Sequence, residues 1–177
     1  MGLSQAESLF YQSIALCMLL SELHKSDFLN SDFYKKKCFQ GKFKIYDTEI
    51  LSKSGIGNPA TLLFMYYLLL LCPRETLQAP EKKELEVLVN KFCENHKKEV
   101  PPYENNDHDY YRHIRNAIAH VHCFFNKIDG DDCVIFSDGN STSPFKMAMT
   151  TQDAGMLLDI LQNKMVEFLN IRLLKKL

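Results

Sequence analysis

No two of the six cysteines form a Cys-x-x-Cys pair; they stand singly at positions 17, 38, 72, 93, 123 and 133. That usage fits a reducing compartment and argues against a disulfide framework. No basic segment followed by an apolar one opens the sequence, so a secretory leader is not expected. The opening MGLSQA lacks the Ser or Thr at position six that a myristoylation signal needs. No apolar run reaches the ~20 residues that cross a bilayer. The most apolar stretch, TLLFMYYLLLLC at 61–72, spans twelve residues and reads as a buried core helix. No glycine-rich loop is built to cradle phosphate, because GIG at 55–57 lacks both the length and the Lys-Ser/Thr ending of a P-loop. Repeats and low-complexity segments are missing too. Nor is there an excess of either charge: the formal net charge is -1, so a polyanionic partner has to be met by a local patch. These absences leave the expectation of a soluble cytoplasmic protein with no membrane partner.

What is present is mostly helix. With 46% hydrophobic and 24% charged residues over 177 positions, the composition is globular, and residues 1–177 read as one domain able to bury its own core. Ser4 and Glu7 have capping-box spacing, and Leu9, Phe10, Ile14, Leu16, Leu19, Leu20 and Leu23 carry a helical pattern to about Lys25. KKKCFQGKFKIY (35–46) holds five lysines and two phenylalanines and reads as a solvated basic surface. Asn58 and Pro59 start the apolar helix, and Pro73 closes it. Pro80 opens another, with Leu85, Leu88, Val89 and Phe92 as its stripe. VPPYENND (100–107) is an inter-helix loop. After one further helix, CFFNKIDGDDCVIFSD alternates β-formers around Asp129-Gly130 as a hairpin does, with FKMAMT as a short third strand. Thr150 or Thr151 then caps a last helix with Leu157, Ile160, Leu161 and Phe168 inward and Arg172, Lys175 and Lys176 near its end. The expected fold is mainly α, a helical bundle with a small β-hairpin inserted before the C-terminal helix.

The helix ahead of the hairpin, from about Asp107 to His122, is unusually rich in cationic and titratable groups: RHIRNAIAHVHCFF runs from Arg112 to Phe125. Tyr111, Ile114, Ile118, Val121 and Phe125 fall at three- and four-residue spacings and define a buried stripe. Arg112, Asn116 and His120 form a row off that stripe, and His113 is assigned to the same polar side. Arg115 lies roughly 140° from His120 around the axis, yet its long stem reaches over the same patch. Asp107 and Asp109 sit in the first turn, where the macrodipole favours negative charge.

His120-x-His122-Cys123 raises the question of zinc. Residues two apart on a helix diverge by roughly 200°, which sets His122 away from His120, and no partner pair stands at a standard spacing. No metal and no cofactor is expected. A Cys–His nucleophile has to assemble in space, and nothing in the sequence marks an activated thiol.

Arg115-Asn116-Ala117-Ile118-Ala119-His120 resembles the signature of the HEPN superfamily: an Arg and a His four to six residues apart, with a polar residue commonly just after the Arg. GNPATLLFMYYLLLLCPRE followed downstream by RHIRNAIAH is similar to a plasmid-borne, stand-alone branch of it. The resemblance implies a small helical bundle with the signature on a late helix. It also implies a metal-independent endoribonuclease that acts as a homodimer on RNA, in toxin–antitoxin, abortive-infection or other defence settings, with an antitoxin or other neutralising partner. Under that reading Arg115, Asn116 and His120 are catalytic, and Arg112 and His113 contact substrate. The residue types suit the chemistry. A free imidazole titrates near ~6.5 and can take or give a proton at neutral pH. A guanidinium is a permanently charged fork for phosphate oxygens. Two other readings stand beside this one: a non-catalytic HEPN-type module that dimerises or binds RNA or protein, and a plain helical scaffold.

Overall fold

The computed structural model describes residues 4–36, 44, 46–100, 108–140 and 143–174. Helix α1 (Gln5–Lys25) begins at the capping box, where the Ser4 hydroxyl accepts the Glu7 amide at 3.2 Å and the Glu7 carboxylate accepts the Ser4 amide at 3.0 Å. A 3-10 turn (Phe28–Asn30) and the short α2 (Asp32–Lys35) follow. Most of the lysine-rich 35–46 segment lies outside the described residues. A π turn (Tyr46–Leu51) leads through the single turn α3 (Ser52–Ser54) to α4 (Pro59–Tyr66), whose first amides are met by Asn58 Oδ1, 3.1 Å from the Thr61 nitrogen.

The apolar 61–72 run is buried at Met65, Tyr66, Leu68, Leu69 and Leu70, as expected of a core helix, but it is not one uniform helix. It widens into a π turn at Tyr67–Leu71 and tightens to a 3-10 turn at Cys72–Glu75. The physical reason is Pro73, which has no amide to offer four residues back and crowds the carbonyl there. The Cys72 amide reaches the Tyr67 carbonyl instead. Helix α5 (Ala79–His96) buries Leu85, Val89 and Cys93, with Leu88 and Phe92 packed beside them.

Helix α6 (Tyr110–Ala119) carries the Arg–His signature and is followed by three antiparallel strands, β1 (Cys123–Ile128), β2 (Asp131–Asn140) and β3 (Ser143–Thr150), in the order β1-β2-β3. The hairpin sits where Asp-Gly places it. Ile128 pairs with Asp131, and Asp129 and Gly130 both adopt positive φ, 54° and 90°, as a two-residue primed turn requires. Chain leaving α5 runs beside the far edge of β3, with Lys98 and Ala148 exchanging backbone hydrogen bonds at 2.8 and 3.1 Å. Thr150 caps α7 (Thr151–Leu174), its hydroxyl accepting the Asp153 amide at 3.0 Å.

One core joins these parts. Phe10, Ile14 and Cys17 of α1 meet Tyr66, Leu69 and Leu70, and Leu157, Leu161, Met165 and Phe168 of α7 close over them against Phe136, Met147 and Met149 of the sheet. Each such side chain removed from water contributes roughly 1.5–3 kcal/mol. Two parts of the sequence pattern are corrected. Leu9 and Leu19 are 57% and 53% exposed, because α1 is apolar on more than one side and only one side meets the core. Ile160 is on the solvent side of α7, and Leu158 takes the inward place. Arg172 turns back to Glu81 and the Thr76 carbonyl, with its guanidinium 5.5 Å from the Phe10 ring centre. Among the described residues no helix is long and apolar enough to cross a membrane.

Candidate functional site

Helix α6 is shorter than its sequence pattern indicates. It runs from Tyr110 to Ala119, capped by Asp109, whose carboxylate accepts the Arg112 amide at 3.2 Å; Asp107 lies outside the described residues. Its start is tied down by Tyr110, whose hydroxyl donates to Glu94 at 2.7 Å and accepts from Lys97 at 2.7 Å. Those bonds, and His108 beside them, hold the Glu94 carboxyl down at about 2.

The end of α6 decides what the site contains. The His120 amide bonds the Asn116 carbonyl at 3.0 Å, the Val121 amide bonds Ile118 at 3.2 Å, and the His122 amide reaches back to Ala117 at 2.7 Å. The last two are the crossed pair of bonds that closes a helix when the next residue turns left-handed. That residue is Val121, at φ 58° and 77% exposed. Glycine usually fills the position, because a Cβ there is crowded by the backbone, and a β-branched residue is the least suited to it. Val121 therefore does not extend the buried stripe, and Phe125 lies on β1.

This turn overturns the expected divergence of His120 and His122. The angle of roughly 200° between them holds only along a continuous helix. With the helix closed at Ala119, both imidazoles are exposed and their ring centres stand 6.0 Å apart, inclined by 37°.

The second correction concerns His113. It is not on the polar side: it is 5% exposed, in one row with Tyr110 and Ala117, which are fully buried. Its ring stacks on Phe145 of β3 at 3.8 Å and 9°, and its Nδ1 stands 2.8 Å from Asp138 Oδ2 on β2. Asp138 and Phe145 are directly paired across the two strands, so one cross-strand pair grips the ring by edge and face. Arg112 Nη2 is 3.1 Å from Nε2; guanidinium only donates, so Nε2 accepts and Nδ1–H donates to Asp138. Burial works against the Asp138 charge, but the His113 ring, the Gly139 amide and the Asn116 side chain outweigh it and hold this carboxyl below the usual range. His113 thus joins helix to sheet, with both ring nitrogens already engaged. Its neighbours Tyr110 and Ala117 were the signal that could have placed it.

The remaining residues keep the side that the spacing gave them. Arg112 and His120 are exposed and Arg115 and Asn116 half-buried, while the opposite side of α6 packs on α5, β2 and the 67–71 turn. Asn116 Nδ2 donates to Asp138 Oδ2 at 3.1 Å, which fixes its amide. Arg112 pairs with Asp109 at 3.0 Å. The Arg115 guanidinium lies 5.7 Å from the Tyr111 ring centre. Burial pushes the Tyr111 phenol up, against the opposing pull of Arg115 and of Arg74 on the neighbouring 3-10 turn. A cleft of about 460 Å³ opens elsewhere, with His24, Asp27 and Tyr34 in its wall, and neither Arg115 nor His120 lines it.

Among the described cysteines none shows an activated thiol. Burial drives Cys17, Cys93 and Cys123 up to about 12, the opposite direction from an activated thiolate. Among the described residues no three His, Cys, Asp or Glu side chains gather as a metal-binding group.

No curated protein and no solved structure matches the chain. A family model described as HEPN pEK499 p136 matches residues 1–170, a span that takes in the bundle, the signature helix, the sheet and most of α7. By that match and by the fold that carries its Arg115–His120 signature, the chain belongs to the HEPN pEK499 p136 family, within the HEPN superfamily.

Proposed function

We propose that the protein is a metal-independent endoribonuclease of the HEPN type, an effector of the toxin or abortive-infection kind, working at a homodimer cleft. The observation that carries this reading is the placement of Arg115, Asn116 and His120 on the solvent-facing side of a helix otherwise packed into the core. A fold needs no exposed imidazole at that helix end, whereas RNA cleavage by the 2′-hydroxyl needs proton transfer and a fixed cation.

In this reading Arg115 holds the non-bridging oxygens and His120 moves a proton. Arg112 adds a second cation one turn away, and Asn116 acts from its place on Asp138. Homodimerisation, in keeping with the superfamily, brings a second His120 and a second Arg115 to the cleft, and a two-fold pair is the commonest symmetric assembly. A neutralising protein partner belongs to the same reading. One observation favours the non-catalytic alternative, a dimerisation or RNA-binding module: the Asn116 amide is already bonded to Asp138.

The test is cleavage of RNA by purified protein in excess chelator beside His120→Ala. Cleavage that leaves 2′,3′-cyclic phosphate ends, lost in the variant, supports the nuclease. Activity abolished by chelator and restored by magnesium refutes metal independence, and RNA bound but uncut by the wild type favours the binding module.

A further inference from the structure

We infer that His122 is a second catalytic residue, forming with His120 of the same chain the acid–base pair that cleaves the RNA backbone. The inference rests on the nuclease reading above and adds to it a residue that the Arg–His signature does not contain.

Three observations support it. The two rings are exposed neighbours, 6.0 Å between centres and inclined by 37°, so a phosphate bound beside the pair can be met by both. Next, His122 is held at its backbone on both sides: its amide bonds the Ala117 carbonyl at 2.7 Å, and its carbonyl accepts the Ser137 amide at 3.0 Å. The ring therefore projects from a fixed point between α6 and β2. Last, the two histidines are brought together by Val121 at φ 58°, a conformation β-branched residues avoid. Backbone strain of this kind clusters at functional sites, and here what it achieves is to turn His122 back towards His120.

The step balances within one chain. One neutral imidazole takes the 2′-hydroxyl proton as the 2′-oxygen attacks phosphorus. The bond from phosphorus to the 5′-oxygen breaks, and the second ring, entering as imidazolium, protonates that leaving oxygen. The products are a 2′,3′-cyclic phosphate and a free 5′-hydroxyl. The two rings have exchanged protonation states, and solvent water resets them. Arg115 neutralises the phosphate throughout.

The experiment compares wild type, His120→Ala, His122→Ala and His122→Gln on two substrates in chelator. One is a uridine-containing dinucleotide, and the other is uridine 3′-(p-nitrophenyl phosphate), whose leaving group departs without a proton. On the dinucleotide all three variants should lose about 10²–10⁴-fold, the usual worth of a general acid or base. On the activated ester the residue acting as acid becomes dispensable, so loss is rescued for one histidine and not for the other. His122→Gln keeps a polar side chain without a transferable proton and should behave as His122→Ala. A His122 variant that cleaves the dinucleotide at the wild-type rate overturns the inference and leaves the nuclease standing. So does equal loss on both substrates for both histidines, which would mean a structural role. Wild type that cleaves neither substrate, nor RNA in the chelator assay above, refutes the nuclease reading itself, and this one with it.

Discussion

Replacing Val121 by glycine should stabilise the protein, although glycine usually weakens a fold. At φ 58° a residue with a Cβ is held in the left-handed region at a cost of roughly 1–2 kcal/mol. Glycine removes that cost but brings more freedom to the unfolded chain, worth roughly 0.5–1 kcal/mol in the other direction. The side chain itself contributes little packing, because Val121 is 77% exposed. The difference is a net gain of about 0.5–1 kcal/mol, or about 1–4 °C in melting temperature for a domain of this size. The crossed hydrogen bonds from Val121 and His122 to Ile118 and Ala117 use backbone atoms alone and survive the change. Thermal melts and urea titrations of a short series give a sharper test than one variant. Val121→Gly should rank first and Val121→Asn next, because Asn tolerates this region better than other residues with a Cβ. Val121→Ala should stay near the wild type. A glycine variant that melts below the wild type would show that the valine side chain holds the turn and that the strain argument is wrong.

Chemistry and folding should separate on α6: His120→Ala and Arg115→Ala abolish RNA cleavage with little change in melting temperature, whereas Ile118→Ala, 7% exposed, costs roughly 2–5 kcal/mol in urea unfolding. A His120→Ala variant as unstable as Ile118→Ala would refute the exposed placement. The Asp138 carboxyl is depressed in the folded state, so its stabilisation is full above the ordinary value near 3.8 and is lost as pH falls through the lower folded value. Unfolding free energies of Asp138→Asn should therefore drop less between neutral pH and pH 3 than those of the wild type, and equal drops would contradict the depressed carboxyl. Subunit mixing tests the division of labour between chains. If both histidines act within one chain, His120→Ala mixed with His122→Ala recovers no cleavage, while recovery would place the pair across the dimer.

Much of this fold was legible because turn and cap residues act locally. Asp129-Gly130 fixes a primed hairpin whatever surrounds it, and Ser4, Asn58 and Thr150 each satisfy an amide three residues on. The row of Arg112, Asn116 and His120 was legible for the same reason, since helical spacing alone sets it on one side, whereas Arg115 joined it only through the reach of its stem. The end of α6 was not. No Gly or Pro follows His120, so nothing announces a stop, and a valine in the left-handed region is set by the strand that follows rather than by its own preference. His113 failed differently. Its polarity suggests solvent, but its burial depends on Asp138 and Phe145, which lie 25 and 32 positions further along and meet it only through the sheet. The widening at Tyr67–Leu71 likewise follows from Pro73 and the packing around it, where the residues alone read as one continuous helix.

Helix α7 bears on the order in which the fold is completed during synthesis. Arg115, His120 and His122 have all been made before the first strand begins, but the shared core is complete only with Leu157, Leu161, Met165 and Phe168, and with Arg172 set against Glu81. From Cys123 to Arg172 is a further fifty residues, which a ribosome adds in roughly 3–10 s at ~5–20 residues per second. Until then the nascent chain carries these side chains on a core that still lacks one of its walls. Under the proposed nuclease reading, such a polypeptide leaves the translation machinery that made it intact until α7 docks.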